Sequence, residues 1–237
     1  MLSQTSKADN GDSFSAANRD FAAGQHKEAV QKYQETLKTM GPSAPVLFNL
    51  ANAQFRSGNL GEAVLQYERA LWLSPHDPDI AANLQVVRKA AGLYDPEFPW
   101  WQHYFRLFSL DAWSLLASLS FAILCVLGSL RLLLRQTPAG AWTTQTPWKT
   151  AAGLTGLALL LSLTGIFTLC ADLDRAIILA PDTPCRIAPY DNAQTTATLN
   201  AGETVEVQRE HEGFLQIRNL QGKTGWIAKK QIALIVP

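Results

Sequence analysis

Two uncharged apolar runs limit what this chain can fold into more than any other feature. Ala112 to Leu130 spans nineteen residues and Ala151 to Ala171 twenty-one, reading AAGLTGLALLLSLTGIFTLCA. An α-helix rises about 1.5 Å per residue, so about 20 apolar residues cross a hydrocarbon layer about 30 Å thick. Helices buried in a soluble core would show polar residues every three or four positions. Here the breaks are small (Ser114, Ser118, Ser120, Thr155, Ser162, Thr164), and such hydroxyls bond back to the preceding turn. The runs predict transmembrane helices over 112–134 and 151–171, joined by a connection at 135–150. Ala152 and Gly156 form a small-xxx-small pair that would let the spans approach each other.

Charge narrows the function classes. Residues 1–99 hold nine basic and eleven acidic side chains, and residues 176–237 hold six of each. Neither part has the basic excess that a phosphate backbone requires, so nucleic acid is not an expected partner. Of three cysteines, Cys125 and Cys170 sit in the apolar runs and Cys185 stands alone. They make no disulfide framework and no metal-ligand spacing, so neither a metal nor a cofactor is expected. Cys185 with His211 would suggest a thiol hydrolase, but a third orienting residue and room for a substrate cleft are missing. The chain is read as a binding protein without catalytic residues.

Ahead of the first run, residues 10–77 repeat at a spacing of 34. Phe14 matches Phe48, Ala17 Ala51, Phe21 Phe55, Gly24 Gly58 and Glu28 Glu62. Ala29 matches Ala63, Val30 Val64, Tyr33 Tyr67 and Leu37 Leu71. Each unit, 10–43 and 44–77, predicts two amphipathic helices, with the glycine ending the first. Pro75 stops the second unit, and 79–91 predicts a capping helix, giving a helical domain over 10–95.

The period and these positions resemble the tetratricopeptide repeat. LFNLANAQFRSGNLGEAVLQYERALWLSP fits the consensus nearly throughout, whereas the first unit carries Thr36 where a small alanine is usual. The resemblance implies a concave face that holds extended peptides or partner helices. On the family's spacing Asn18, Asn49, Asn52, Phe55 and Arg56 fall on that face, and Asn83 and Arg88 extend it onto the cap. The alternative is that these asparagines tie turns and caps together.

Pro96 and Pro99 end the repeats. Trp100, Trp101, Tyr104, Phe105 and Phe108 then recur at helical spacing, which predicts a short interfacial helix over 98–111 in contact with membrane lipid. Trp142 and Trp148 mark the opposite boundary; a partner-binding aromatic patch is the alternative. Arg131, Arg135 and Lys149 flank the connection without an acidic residue, so it is expected on the cytoplasmic side of a bacterial inner membrane. Both soluble parts would then face outward. A domain ahead of the first span crosses behind a signal peptide, and residues 1–21 hold no apolar segment of that kind. The expectation is a start upstream or a trimmed one; the alternative keeps the repeats cytoplasmic.

Beyond Ile177 the pattern changes to short alternating runs between turn residues, such as GETVEV and EGFLQIRN, with a turn at Gln221-Gly222. Five or six strands over 176–237 predict a small all-β barrel. The run through GKTGWI resembles the bacterial SH3 domain, with Phe214 in place of the usual tryptophan. That resemblance implies an extracytoplasmic module for peptides or cell-wall stems. Tyr190 and Trp226 either line its groove or close its core. The fold class is therefore multidomain, with a helical repeat array, two transmembrane helices and an SH3-like barrel.

In this order the parts resemble the membrane tetratricopeptide proteins of the Bat (aerotolerance) operon, the BatE type. The resemblance implies a scaffold in envelope stress tolerance, with von Willebrand A-domain proteins and a MoxR-type ATPase as partners. A cell-wall sensor acting through the barrel is the second reading.

Overall fold

A computed structural model of the chain describes residues 13–93, 104–105, 107–134 and 146–236. It divides into two compact units, one made of Met1–Pro96 with Leu173–Pro237 and the other of Glu97–Asp172. In the first unit α1 covers residues 13–22, α2 His26–Met40, α3 Ala44–Arg56, α4 Leu60–Leu73 and α5 Pro78–Ala90. Helices α1/α2 and α3/α4 are the two hairpins that the 34-residue period predicts. Gly24 and Gly58 end α1 and α3 with φ of 78° and 84°, a left-handed conformation costly to any residue with a Cβ.

The period is repeated in the packing. Ala17, Ala29, Ala51, Ala63 and Ala70 are fully buried, so the paired helices approach closely. Phe14 packs on Tyr33 and Phe48 on Tyr67, each with ring centroids 5.9 Å apart. Thr36 is as buried as the alanine it replaces, and its Oγ1 donates to the Lys32 carbonyl at 2.8 Å. A hydroxyl is tolerated there because its proton is taken up within the helix. Helix α5 starts one residue before the predicted cap. Asp77 accepts from the Asp79 N–H at 3.0 Å, and Pro78 occupies the first turn.

The C-terminal part forms seven strands rather than five or six. They are β1 Arg175–Ile178, β2 Thr183–Arg186, β3 Thr195–Leu199, β4 Thr204–His211, β5 Phe214–Asn219, β6 Thr224–Ala228 and β7 Ile232–Leu234. The sheet order is β3-β2-β6-β5-β4-β1-β7, with every pair antiparallel. The terminal strands β1 and β7 are too short, at 4 and 3 residues, for alternation to register in sequence. Val205, Leu215, Ile217 and Ile227 fill the barrel interior with Cys185. Gly225 is required on β6, because a Cβ would strike the Cys185 Sγ.

The helices and the barrel share a core. Ile177 of β1 is fully buried and Ile235 is 4% exposed, within one cluster with Leu47, Val64, Ile80 and Leu84 of the helices. Leu179, Ala233 and Val236 flank that cluster.

The second unit contains α6, Leu110–Leu134, and α7, Thr146–Ala171. Both are long and apolar enough to cross a membrane, and only 11% of each apolar window is buried. Leu132, Leu133, Leu154 and Phe167 are all more than two thirds exposed. The helices begin earlier than expected, so Trp148 and Lys149 belong to α7 rather than to the connection. Ser114, Ser118, Thr155, Ser162 and Thr164 each donate to the carbonyl four residues back, at 2.6–2.9 Å. Close approach occurs at Gly165, where a Cβ would lie 2.7 Å from the Trp113 ring, whereas a Cβ on Gly156 would meet nothing. The aromatic approach is not a continuous helix: residues 107–108 form a turn, and Phe105 and Phe108 pack on Trp113 at 5.6 and 5.4 Å. Trp100, Trp101, Trp142 and Arg135 lie outside the described residues.

The shared core predicts that Ile177→Ala destabilises the first unit by about 2–5 kcal/mol in urea titration of the full chain in detergent. Hydrogen exchange should quicken in α4 as well as in the barrel; a change confined to the barrel would contradict a common core.

Candidate functional site

On the array, the sequence-predicted residues of α1 and α3 form one polar cluster. The Tyr33 hydroxyl donates to Asn18 Oδ1 at 2.6 Å, and the Tyr67 hydroxyl donates to Asn52 Oδ1 at 2.7 Å. The two bonds are related by the same offset of 34 residues. Asn49 Nδ2 also donates to Asn18 Oδ1, at 3.2 Å, tying α3 to α1. A side-chain amide has two N–H donors and one acceptor oxygen. With each Oδ1 taken by a tyrosine, the Nδ2 groups of Asn18 and Asn52 remain as donors. All three asparagines are half-buried, and Arg56 is exposed one turn beyond Asn52.

Tyr33 and Tyr67 enter the sequence reading only as one matched pair of the 34-residue period. Their hydroxyls orient the asparagines, and the repeat of both Asn and Tyr at one offset was the available signal. Burial pushes the Tyr33 phenol up to about 12, with the nearby Asp20 carboxylate adding to the shift. Burial does the same to Tyr67, also to about 12, against the opposing effect of Arg56.

The remaining residues of the predicted face separate. Phe55 is half-buried against the shared core. Asn83 Nδ2 donates to the Asp79 carbonyl at 2.8 Å within its own helix. Arg88 points to the barrel instead, forming an ion pair with Glu68 of α4 and lying 3.3 Å from Thr204 Oγ1. Glu68 also faces Arg175 of β1 at 3.8 Å.

On the barrel, Trp226 does not close the core. Register places Arg209, Gln216, Trp226 and Arg186 in one row across β4, β5, β6 and β2, on the face opposite Ile217 and Ile227. The His211 ring meets Trp226 at 6.3 Å. Tyr190 is 55% exposed in the turn after β2, and Arg186 Nε holds that turn by donating to the Asp191 carbonyl at 3.2 Å. Cys185 points inward and its thiol pKa is raised by burial, so it lies across the sheet from His211. A cleft of ≈ 380 Å³ opens beside Cys185 and Thr196, where β2 and β6 have only one paired position. Among the described residues, no three His, Cys, Asp or Glu side chains converge as metal ligands would.

The raised phenol pKa values carry a stability consequence. A tyrosine whose folded pKa lies above its unfolded value contributes stability below about pH 10, and that contribution is lost as pH rises to about 12. Alkaline unfolding of the array should therefore fall between these values, with absorbance at the phenolate band rising in step. Tyr67→Phe should reduce that pH dependence and, at neutral pH, lower stability by about 0.5–1.5 kcal/mol. Phenol titration near pH 10 in the folded protein would contradict it.

Residues 182–233 match the bacterial SH3 domain family. No curated protein matches the chain. Residues 182–233, from β2 into β7, therefore form a bacterial SH3 domain, and β1 precedes the match.

Proposed function

We propose that this protein is a non-catalytic adaptor held in a bacterial inner membrane by α6 and α7, binding a protein partner on the α1/α3 side of a tetratricopeptide-type array. The observation that carries the reading is the pair of Tyr–Asn bonds. They leave the half-buried Asn18 and Asn52 as amide donors, with the exposed cation of Arg56 one turn beyond Asn52, a set suited to the backbone carbonyls or carboxylates of an extended segment. The outward-facing large apolar side chains of α6 and α7 support membrane insertion, since water would not tolerate such a surface. Basic residues at the connection favour its cytoplasmic placement. The partners that the sequence resemblance implies are von Willebrand A-domain proteins and a MoxR-type ATPase of an aerotolerance system.

As bait in detergent against membrane extract, the full chain should retain a partner set that Asn52→Ala with Arg56→Ala reduces severalfold. A set that is unchanged by the double substitution counts against the array face as the binding surface.

A second reading, a sensor of cell-wall peptides, is favoured by one observation on the bacterial SH3 barrel. Trp226 is turned outward between Arg186 and Gln216, a flat apolar ring beside polar donors. The full chain in detergent should then sediment with purified sacculi, and Trp226→Ala should leave it in the supernatant. Wild-type protein that stays in the supernatant ends this reading.

A further inference from the structure

We infer that the array and the barrel are one co-folded body interrupted by the apolar hairpin, with the β1/β7 end of the barrel built as the docking partner of α4. Both parts then lie on one side of the membrane. The docking stands on contacts alone; the sidedness also rests on the membrane reading of α6 and α7.

Three independent features meet at this seam. First, Gly61 lies in α4, where a glycine weakens the helix by about 1 kcal/mol relative to alanine. Its reason is proximity: a Cβ would lie 2.7 Å from the Ile178 carbonyl oxygen and collide with that of Leu179. Helix backbone therefore rests directly on strand backbone. Gly202 makes the reciprocal approach, where a Cβ would come within 3.1 Å of Val64 and 2.9 Å of Leu93.

Second, polar groups of the helices find partners across the seam. Arg69 of α4 donates to the carbonyls of Leu234 and Ile235, at 2.9 and 3.2 Å. Glu68, whose side chain is 11% exposed, faces Arg88 from α5 and Arg175 from β1. A carboxylate this buried requires such partners, and one of the two belongs to the barrel. Burial raises the pKa of Glu62, with Arg69 opposing the shift.

Third, Ile177 and Ile235 would be exposed apolar side chains on a barrel standing alone, yet both are buried against α4 and its neighbours. The chain leaves this seam at Leu93 and has returned to it by Arg175. Two crossings between those points bring it back to the side it left. The α4 side of the array is occupied by the barrel, so a further partner has the α1/α3 side.

Two measurements on the full chain test this. One cysteine is introduced at a time, Ser15→Cys in α1 or Lys230→Cys beside β7, with Cys125 and Cys170 replaced by serine and Cys185 left buried in the barrel. Each variant is probed by a membrane-impermeant maleimide on spheroplasts, with the parent lacking the new cysteine as the blank. The two positions should behave alike, both labelled or both protected until the membrane is opened; opposite behaviour overturns the shared side. Hydrogen exchange in detergent micelles decides the docking without reference to the membrane. Gly61→Leu should speed exchange at 175–178 and 232–235 about tenfold while α2 stays unchanged. Arg69→Ala should move the same amides to a smaller extent, and serves if the leucine variant does not accumulate. Unchanged exchange at both strands in Arg69→Ala, or in a folded Gly61→Leu, overturns the docking. A chain recovered from the soluble fraction would remove the membrane reading and leave the docking to the exchange result.

Discussion

The first unit depends on helix α4 meeting the barrel backbone to backbone at Gly61. Replacing that hydrogen with a methyl group would push the helix off the Ile178 and Leu179 carbonyls. The displacement would uncover Ile177 and Ile235 and pull Arg69 from the carbonyls of the last strand. Apolar burial holds the two parts together, because it grows with the area removed from water and needs no exact alignment. The arginines set the register. A guanidinium reaching two successive carbonyls can do so in one placement only.

Seating the barrel on α4 affects the rest of the array. The asparagines stand on α1 and α3 rather than on α4, and Tyr33 and Tyr67 hold them in place from the second helix of each hairpin. Held in this way, the asparagine amides are ordered by the fold itself, and under the proposed partner binding less side-chain freedom would be lost on association. The same tyrosines pack their rings on Phe14 and Phe48. One side chain thus serves both the core and the surface, which explains why the pair recurs with the period.

The apolar hairpin obeys different rules. Its hydroxyls bond to their own helices, and its large side chains turn outward. Between α6 and α7 the seam is small, with Ala117, Ser120 and Ser162 buried and Trp113 laid over Gly165. Small residues and close approach replace bulky interdigitation there, the packing that suits helices long and apolar enough to cross a membrane. The indole N–H donates to the Phe105 carbonyl at 2.9 Å, which fastens the turn ahead of α6 to its first helical turn.

Periodicity and length made much of this legible from residues alone. The 34-residue repeat placed four helices and their glycine turns, and two uncharged runs marked α6 and α7. Alternation around Leu215 and Ile217 indicated a small barrel, and with GKTGWI pointed to the bacterial SH3 type. These are local signals, carried by neighbours in sequence or by a fixed offset. The outward turn of Trp226 was not available, because a strand that alternates has two faces and only its partners decide which is the core. The assignment of Arg88 to the barrel failed to appear for a similar reason: Thr204, which it reaches there, lies beyond the whole hairpin in sequence. Contacts such as Arg69 with Ile235, 166 residues apart, leave no periodic trace. Local chemistry decided which elements form; only close approach between distant backbones decided that the first and last of them make one core.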